Sequence, residues 1–388
     1  MKRRKATISF VIAVIATLVI LLAGLSSGVS AETYTGTIYG AGQGGHLAVL
    51  DVTIDPSDTI NPITVDSLQR IKLGTSPISK PEDYIFHDVR VDMTRGKSGK
   101  LFWSTIMPDS EGKFRYGRID LQQKRVEYDI QMVPPSRSAA GSPPGYCGSG
   151  QSANYYLPVW MGYEGFVDVI DKDTMNLVRR VFLETPPHPN YMMAHGTNKD
   201  DFSQMTISKN FSSDVPGYGD TGKDVNLNMS DLLNGTTTIE NEGPPIQGPP
   251  GTVFFRQDWT PNGQYLLQAG RSFLLVLDSG LNEVCRYNLP VENGKQVENH
   301  DITAVKNSGY GVMQQRKYIM RNGSAVMDGQ LQLVNISNCT PIGNSVSMCM
   351  GCHDKNHEQR EQPNENDTGG SIRKSPDLVT CGIDSVWD

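Results

Sequence analysis

The chain has 388 residues, of which 37% are hydrophobic and 20% charged, with 39 Gly and 23 Pro. That composition excludes a coiled coil, a collagen-like chain and a wholly disordered chain, and it points to a turn-rich globular protein with more strand than helix. Residues 1–31 carry four of the 35 basic residues and no acid, so the formal charge of −7 becomes −11 once they are removed. An acidic mature chain argues against nucleic acid as a partner and against docking on an anionic membrane surface.

The N-terminus carries the pattern of an export signal. Lys2, Arg3, Arg4 and Lys5 precede an apolar run from Ile8 to Leu25, and Val29-Ser30-Ala31 supplies a small-x-small cleavage site. The expectation is a signal peptide over 1–31, cut after Ala31. The alternative is an uncleaved anchor, since the run is nearly long enough to span a bilayer. No later stretch is long and apolar enough to do so, and no membrane span is expected in the mature chain. The remainder is expected to be periplasmic, extracellular or at the cell surface, where disulfides persist.

Next along the chain comes a recurring pattern: a short apolar run, then Asp or Asn, then a polar turn. It occurs at Leu47–Asp51, Arg118–Asp120, Phe166–Asp171, Val225–Asp231, Phe273–Asp278 and Leu331–Asn335. The acidic or amide positions are spaced by 69, 51, 60, 47 and 57 residues. Each copy reads as a hairpin with an Asp- or Asn-initiated turn. A second family of hairpins alternates with the first and opens at His87-Asp88, His195-Gly196, Asp258-Trp259 and His300-Asp301. Two hairpins per period of about 50 residues make a four-stranded propeller blade, which buries its faces only against its neighbours.

Through these apolar-Asp hairpins and His-Gly or His-Asp openings, the segment from about 33 to 340 resembles the YVTN-type β-propellers. It is also similar to the propellers of cytochrome-cd-type nitrite reductases and of nitrous-oxide reductases. The expected fold is all-β, a β-propeller with seven blades favoured and six to eight compatible. Tyr34–Tyr39 is then a spare strand available to close the ring. The expected domains are 1–31 signal, 32–340 propeller, and 341–388 haem-attachment segment with a polar tail. Two segments interrupt the pattern and read as loops: Pro/Gly/Ser-rich Val133–Ser152, and polar Asn210–Gly251.

The chemistry concentrates near the C-terminus. Cys349-Met350-Gly351-Cys352-His353 is a C-x-x-C-H motif, the attachment pattern of c-type haem. Cys349 and Cys352 are expected to bond the two vinyl groups, with His353 as the proximal iron ligand. A redox dithiol and a zinc site using His357 are the alternatives, although adjacent Cys352 and His353 crowd one tetrahedral ion. The second axial ligand is open among His46, His87, His188, His195, His300, a Met such as Met192, Met193 or Met313, and no ligand at all. His357, held four residues from His353, is not expected to reach the opposite haem face.

Cys147, Cys285, Cys339 and Cys381 are available for two disulfides, and Cys339–Cys381 is the expected pairing because it would tie down the tail. His87, His195 and His300 open equivalent hairpins at the expected hub. They either bond neighbouring blades or converge on a metal, a second cofactor or an anionic substrate. Nitrous-oxide reductases hold copper with hub histidines, but with more of them than this chain offers, so that activity does not carry over. The expected function is electron transfer by an exported mono-haem c-type cytochrome whose haem is docked on the propeller, with other cytochromes as redox partners. The alternatives are an oxidoreductase with a hub active site fed by the haem, and a non-redox propeller interaction module.

Overall fold

A computed structural model describes residues 32–42, 45–73, 86–94, 99–109, 111–133, 145–161, 165–183, 195–211, 221–248, 254–321, 324–348 and 380–388. The strands follow in chain order. The first group is β1 (Tyr34–Gly42), β2 (His46–Ile54) and β3 (Ile63–Lys72). The second is β4 (Phe86–Val91), β5 (Lys100–Thr105), β6 (Phe114–Asp120) and β7 (Arg125–Met132). The third is β8 (Gly145–Gln151), β9 (Tyr155–Met161), β10 (Phe166–Asp171) and β11 (Leu177–Phe182). The fourth is β12 (His195–Asn198), β13 (Gln204–Phe211), β14 (Thr221–Asn228), helix α1 (Met229–Asn234), β15 (Ile239–Glu242) and β16 (Ile246–Gln247). The fifth is β17 (Phe254–Trp259), β18 (Tyr265–Gly270), β19 (Phe273–Asp278) and β20 (Glu283–Asn288), followed by the small hairpin of β21 (Val291–Glu292) and β22 (Lys295–Gln296). The sixth is β23 (Glu298–Ala304), β24 (Tyr310–Arg321), β25 (Ser324–Asn335) and β26 (Thr340–Ser347), and the last strand is β27 (Thr380–Trp387).

These strands form six antiparallel blades, not the favoured seven. The reason lies in the first and last strands. β1 does not begin a further blade; it pairs with β2 and with β27, so blade one has the order β27-β1-β2-β3. The C-terminal strand is thus the innermost strand of the first blade, and it closes the ring. The expected polar tail contains this strand, and the propeller continues past residue 340 through β26 and β27.

Each blade is buried on both faces, so its central strands are apolar in succession rather than alternately. In β19, Phe273, Leu275 and Leu277 pack against Ile246 of blade four, while Leu274 and Val276 pack against Ile302 and Met313 of blade six. The same division recurs around the ring, and six separate apolar clusters fill the six blade interfaces.

The Asp-initiated turns are observed at four of the six positions. Asp120 accepts from Gln123 N, Asp171 from Thr174 N, Asp278 from Gly280 N and Asn335 from Ser337 N, all at 2.7–2.9 Å. Asp51 departs from the expectation: it lies inside β2 and accepts from the Thr37 and Ser67 hydroxyls, and Asp55 begins the turn instead. In blade four, Asn228 caps α1 by accepting from Asp231 N, and the short helix replaces the turn.

Two segments read as loops contain strands. Gly145–Gln151, at the end of the Pro/Gly/Ser-rich stretch, is the innermost strand of blade three, and β14, α1, β15 and β16 occupy much of 210–251. Small residues misled the reading because the hub is crowded. At Gly148, in the left-handed region at φ +82°, a Cβ would lie 2.9 Å from the Gly196 backbone nitrogen.

Cys285 and Cys339 form a disulfide, with Cα atoms 5.8 Å apart, joining β20 of blade five to the β25–β26 turn of blade six. It replaces the expected Cys339–Cys381 pairing. The cause is position: Cys339 sits at the outer edge of the ring, whereas Cys381 lies in the innermost strand. Cys147 is buried in β8.

Candidate functional site: the histidine-bearing face of the hub

Every blade's outermost strand connects to the next blade's innermost strand across the same rim of the ring, here called the upper face. Innermost strands therefore all start at the upper face. His87 is the second residue of β4, His195 the first of β12 and His300 the third of β23. The three hub histidines share this face, as their openings of equivalent hairpins implied. His46 joins them: it pairs with Gly42, which pairs on its other side with Thr380, the first residue of β27.

The hub interior is occupied by two arginines that cross it in opposite directions. Arg256, from blade five, reaches blade two, its opposite in a six-membered ring. Its Nη2 lies 2.7 Å from His87 Nδ1 and donates to the His87 carbonyl, and its Nε donates to Asp88 Oδ1 at 3.1 Å. Asp301 lies 3.9 Å away on the same guanidinium. Arg90, from blade two, points back toward blade five, with Asp258 at 3.8 Å and Asp384 of β27 at 3.9 Å. Gly382 of β27 makes room for the upper strut: a Cβ there would lie 2.6 Å from the His87 carbonyl oxygen.

The remaining carboxylates stitch innermost strands in pairs. Asp301 accepts from Ile383 N and Asp384 from Val91 N, both at 2.7 Å, and Asp258 accepts from Ala304 N at 3.1 Å. His300 Nε2 lies 2.8 Å from Glu298 Oε2, and the His300 ring stacks on Phe255 at 4.4 Å.

Burial dominates the electrostatics. It drives His87 well below its ordinary pKa, aided by the positive charge of Arg256. Burial and Arg316 lower His300 to about 4 against the pull of Glu298. Both imidazoles are neutral at pH 7, so His87 Nδ1 accepts from Arg256, and His300 Nε2 donates to the Glu298 carboxylate. At the lower end, burial raises Asp258 to about 7 although Arg90 opposes it, and raises Asp200 to about 6.

These contacts decide what the hub histidines do. The lone pair of His87 that would bind a metal is committed to Arg256, and His195 is fully enclosed. Among the described residues no three His, Cys, Asp or Glu side chains are grouped to hold a metal ion. The structure brings His87, His195 and His300 to one face and packs them as buried bracing. Arg256 and Arg90, which do the bracing, were missed in the sequence; each lies in an innermost strand two residues from an Asp, the signal that marks them.

Cys349, Cys352 and His353 lie outside the described residues, as do the 1–31 signal, His188, Met192, Met193 and His357. The motif is nevertheless placed in the topology. It falls between Met348, just past the end of β26, and Thr380, which opens β27, in the connection that enters the closing strand from the upper face. Of the described candidates for a second iron ligand, Met313 is fully buried in the core between blades five and six, and His87, His195 and His300 are buried in the hub. His46 is half-buried at the rim, two strands and so roughly 10 Å from Thr380. By its chemistry, a thiol pair with an adjacent imidazole is a donor set that fits a haem.

No protein-family model matches the chain, and no curated protein matches it. Among solved structures, it is similar to a protein of unknown function from Bacteroides caccae, at 12% identity and a TM-score of 0.49, over 91% of this chain and 99% of that one. It is also similar to the Neurospora crassa Pan2 WD40 domain, at 11% identity and a TM-score of 0.43, over 70% and 69% of the two chains. A functionally unknown protein from Desulfotomaculum acetoxidans gives 11% and 0.43, over 81% and 88%. Among the described residues no helix is long and apolar enough to cross a membrane.

Proposed function

We propose that this protein is an exported mono-haem c-type cytochrome that transfers electrons, with the propeller as a rigid mount for the haem segment. The observation that carries the reading is the C-x-x-C-H motif at Cys349–His353, behind an export pattern and within the connection that leads into the ring-closing strand. Cys349 and Cys352 would hold the group and His353 its iron; when bound, it supplies one-electron exchange between ferric and ferrous states. The chain's own contribution is to fix the two ends of that connection. Met348 is fully buried in the core between blades six and one, and Ile383 and Asp384 are hydrogen-bonded to blades six and two. One end is thus anchored in the core between blades six and one and the other in the innermost strand of the ring.

The support favours electron transfer over a hub active site, because guanidinium struts and paired carboxylates fill the hub where a second cofactor would bind. Metal analysis of the exported protein tests this choice. One iron per chain and no copper, with haem staining that survives a denaturing gel and is lost in Cys349→Ala, is the expected result. Copper or a second chromophore contradicts the electron-transfer reading in favour of a hub site, and a chain with neither iron nor haem contradicts both.

A further inference from the structure

Between blades five and six the apolar packing stops short of the upper face. Along β24, Met313 belongs to the interface core, but the next residues on the same face are Gln315 and Lys317. Above the core opens a cleft of about 490 Å³, within the range of small-molecule sites. Tyr287 of β20, Glu292 of the β21–β22 hairpin, and Asn344 and Ser345 of β26 complete its walls.

Three features give the cleft a chemical character. Gln315 is only 3% exposed and its amide oxygen has no hydrogen-bond partner among the described residues, which is costly for a buried acceptor. The oxygen is enclosed as it stands, and a turn about the last side-chain torsion exchanges it with the amide nitrogen. The one cation and one anion of the lining neutralise each other: Lys317 Nζ lies 3.3 Å from Glu292 Oε1. The walls are also braced covalently. Tyr287 lies two residues beyond Cys285, and the lining residue Pro341 two residues beyond Cys339, so the disulfide joins the strands that form the two walls. A space held open in this way, rather than packed, is preorganised for a guest.

We propose that this cleft binds a neutral, polyhydroxylated ligand, the end of a saccharide chain. Hydroxyl groups supply the donor that Gln315 lacks, accept from Lys317 and Asn344, and donate to Ser345, whose own hydroxyl proton goes to Gln330 Oε1. The Tyr287 ring offers the one aromatic surface, against which a sugar ring can lie. The compensated charge disfavours an anion such as a phosphate, and the lack of broad apolar walls disfavours a lipid chain. A peptide adding to the edge of β26 is disfavoured because Asn344 N already donates to Ile60 O of blade one at 2.7 Å. The site is independent of the haem.

The test is calorimetric titration of the exported, disulfide-intact protein with neutral di- and trisaccharides built from glucose, galactose, mannose and N-acetylglucosamine. At least one should bind in the millimolar range or tighter, and both Gln315→Leu and Tyr287→Ala should weaken it by about tenfold or more. Gln315→Leu removes an unsatisfied buried acceptor, so its thermal midpoint should stay level or rise. If Gln315→Leu fails to fold, Tyr287→Ala, at a half-buried position, decides alone. Binding that neither variant weakens places the sugar elsewhere and overturns the assignment. No binding by any member of the panel also overturns it, as does a peptide library that binds in a Gln315-dependent way when no saccharide does.

Discussion

Arg256 shows how single side chains hold this ring. Its guanidinium neutralises Asp88 and Asp301 in a place nearly closed to water, and it contacts His87 on the far side of the hub. Replacing it with Met keeps much of the bulk but strands two buried carboxylates, a loss of about 3–5 kcal/mol. Chemical denaturation should show a deficit that is larger at pH 8 than at pH 5, because protonation relieves the stranded acids. A pH-independent deficit would mean that packing, not charge, is what Arg256 supplies. Asp224 presents the opposite case. Burial raises it to about 8, and neither carboxylate oxygen has a hydrogen-bond partner among the described residues. Its folded pKa exceeds its unfolded value of about 4, so the stability it contributes is present below pH ~4 and lost as pH rises through about 8. Asp224→Asn should therefore flatten the decline between pH 5 and pH 9 and be the more stable protein at pH 9, by a few kcal/mol in order of magnitude. Parallel pH profiles for the two proteins would contradict this. The histidines' shared face was readable in the sequence, because His87, His195 and His300 each open a first hairpin. Their engagement was not, since Arg256 is 169 residues from His87 and no local pattern links them.

At the scale of elements, the hairpins were legible where an Asp or Asn ends an apolar run, because the side chain caps its own turn within two to four residues. Reading failed where local sequence and hub geometry diverge. The strand 145–151 is built from Gly, Tyr, Cys, Ser and one Gln, residues that read as a loop until the closeness of neighbouring innermost strands is known. The closing strand escaped notice for a related reason: β27 is an isolated strand whose partner, β1, lies at the other end of the chain. Its contribution is topological. Trp387 donates its indole N–H to Ala304 O, Asp384 accepts from Val91 N, and Ile383 N donates to Asp301, so one strand joins blades six, one and two. Deleting residues 380–388 should give protein that is insoluble or lacks a cooperative unfolding transition, even though the deletion spares every other strand. A soluble product with a sharp, single transition would show that the ring holds without this closure.

For the molecule as a whole, the first and last strands meet in one blade, and the C-x-x-C-H sequence falls between β26 and β27, the strand that closes the ring. That arrangement relates the scaffold to the proposed chemistry. A propeller closed by its C-terminal strand can carry a long insertion just before that strand without losing the ring, and β27 starts at the face that bears the described histidines. On the proposed reading, the mature molecule would begin at Glu32, carry a single covalent haem on Cys349 and Cys352, and include β27. Intact-mass spectrometry of the denatured protein, secreted from a host with haem-attachment machinery, tests that claim most directly. The predicted mass is that of residues 32–388 plus one haem, with the addition localised to the peptide containing Cys349 and Cys352. A folded, exported chain with the bare mass of residues 32–388 would contradict it.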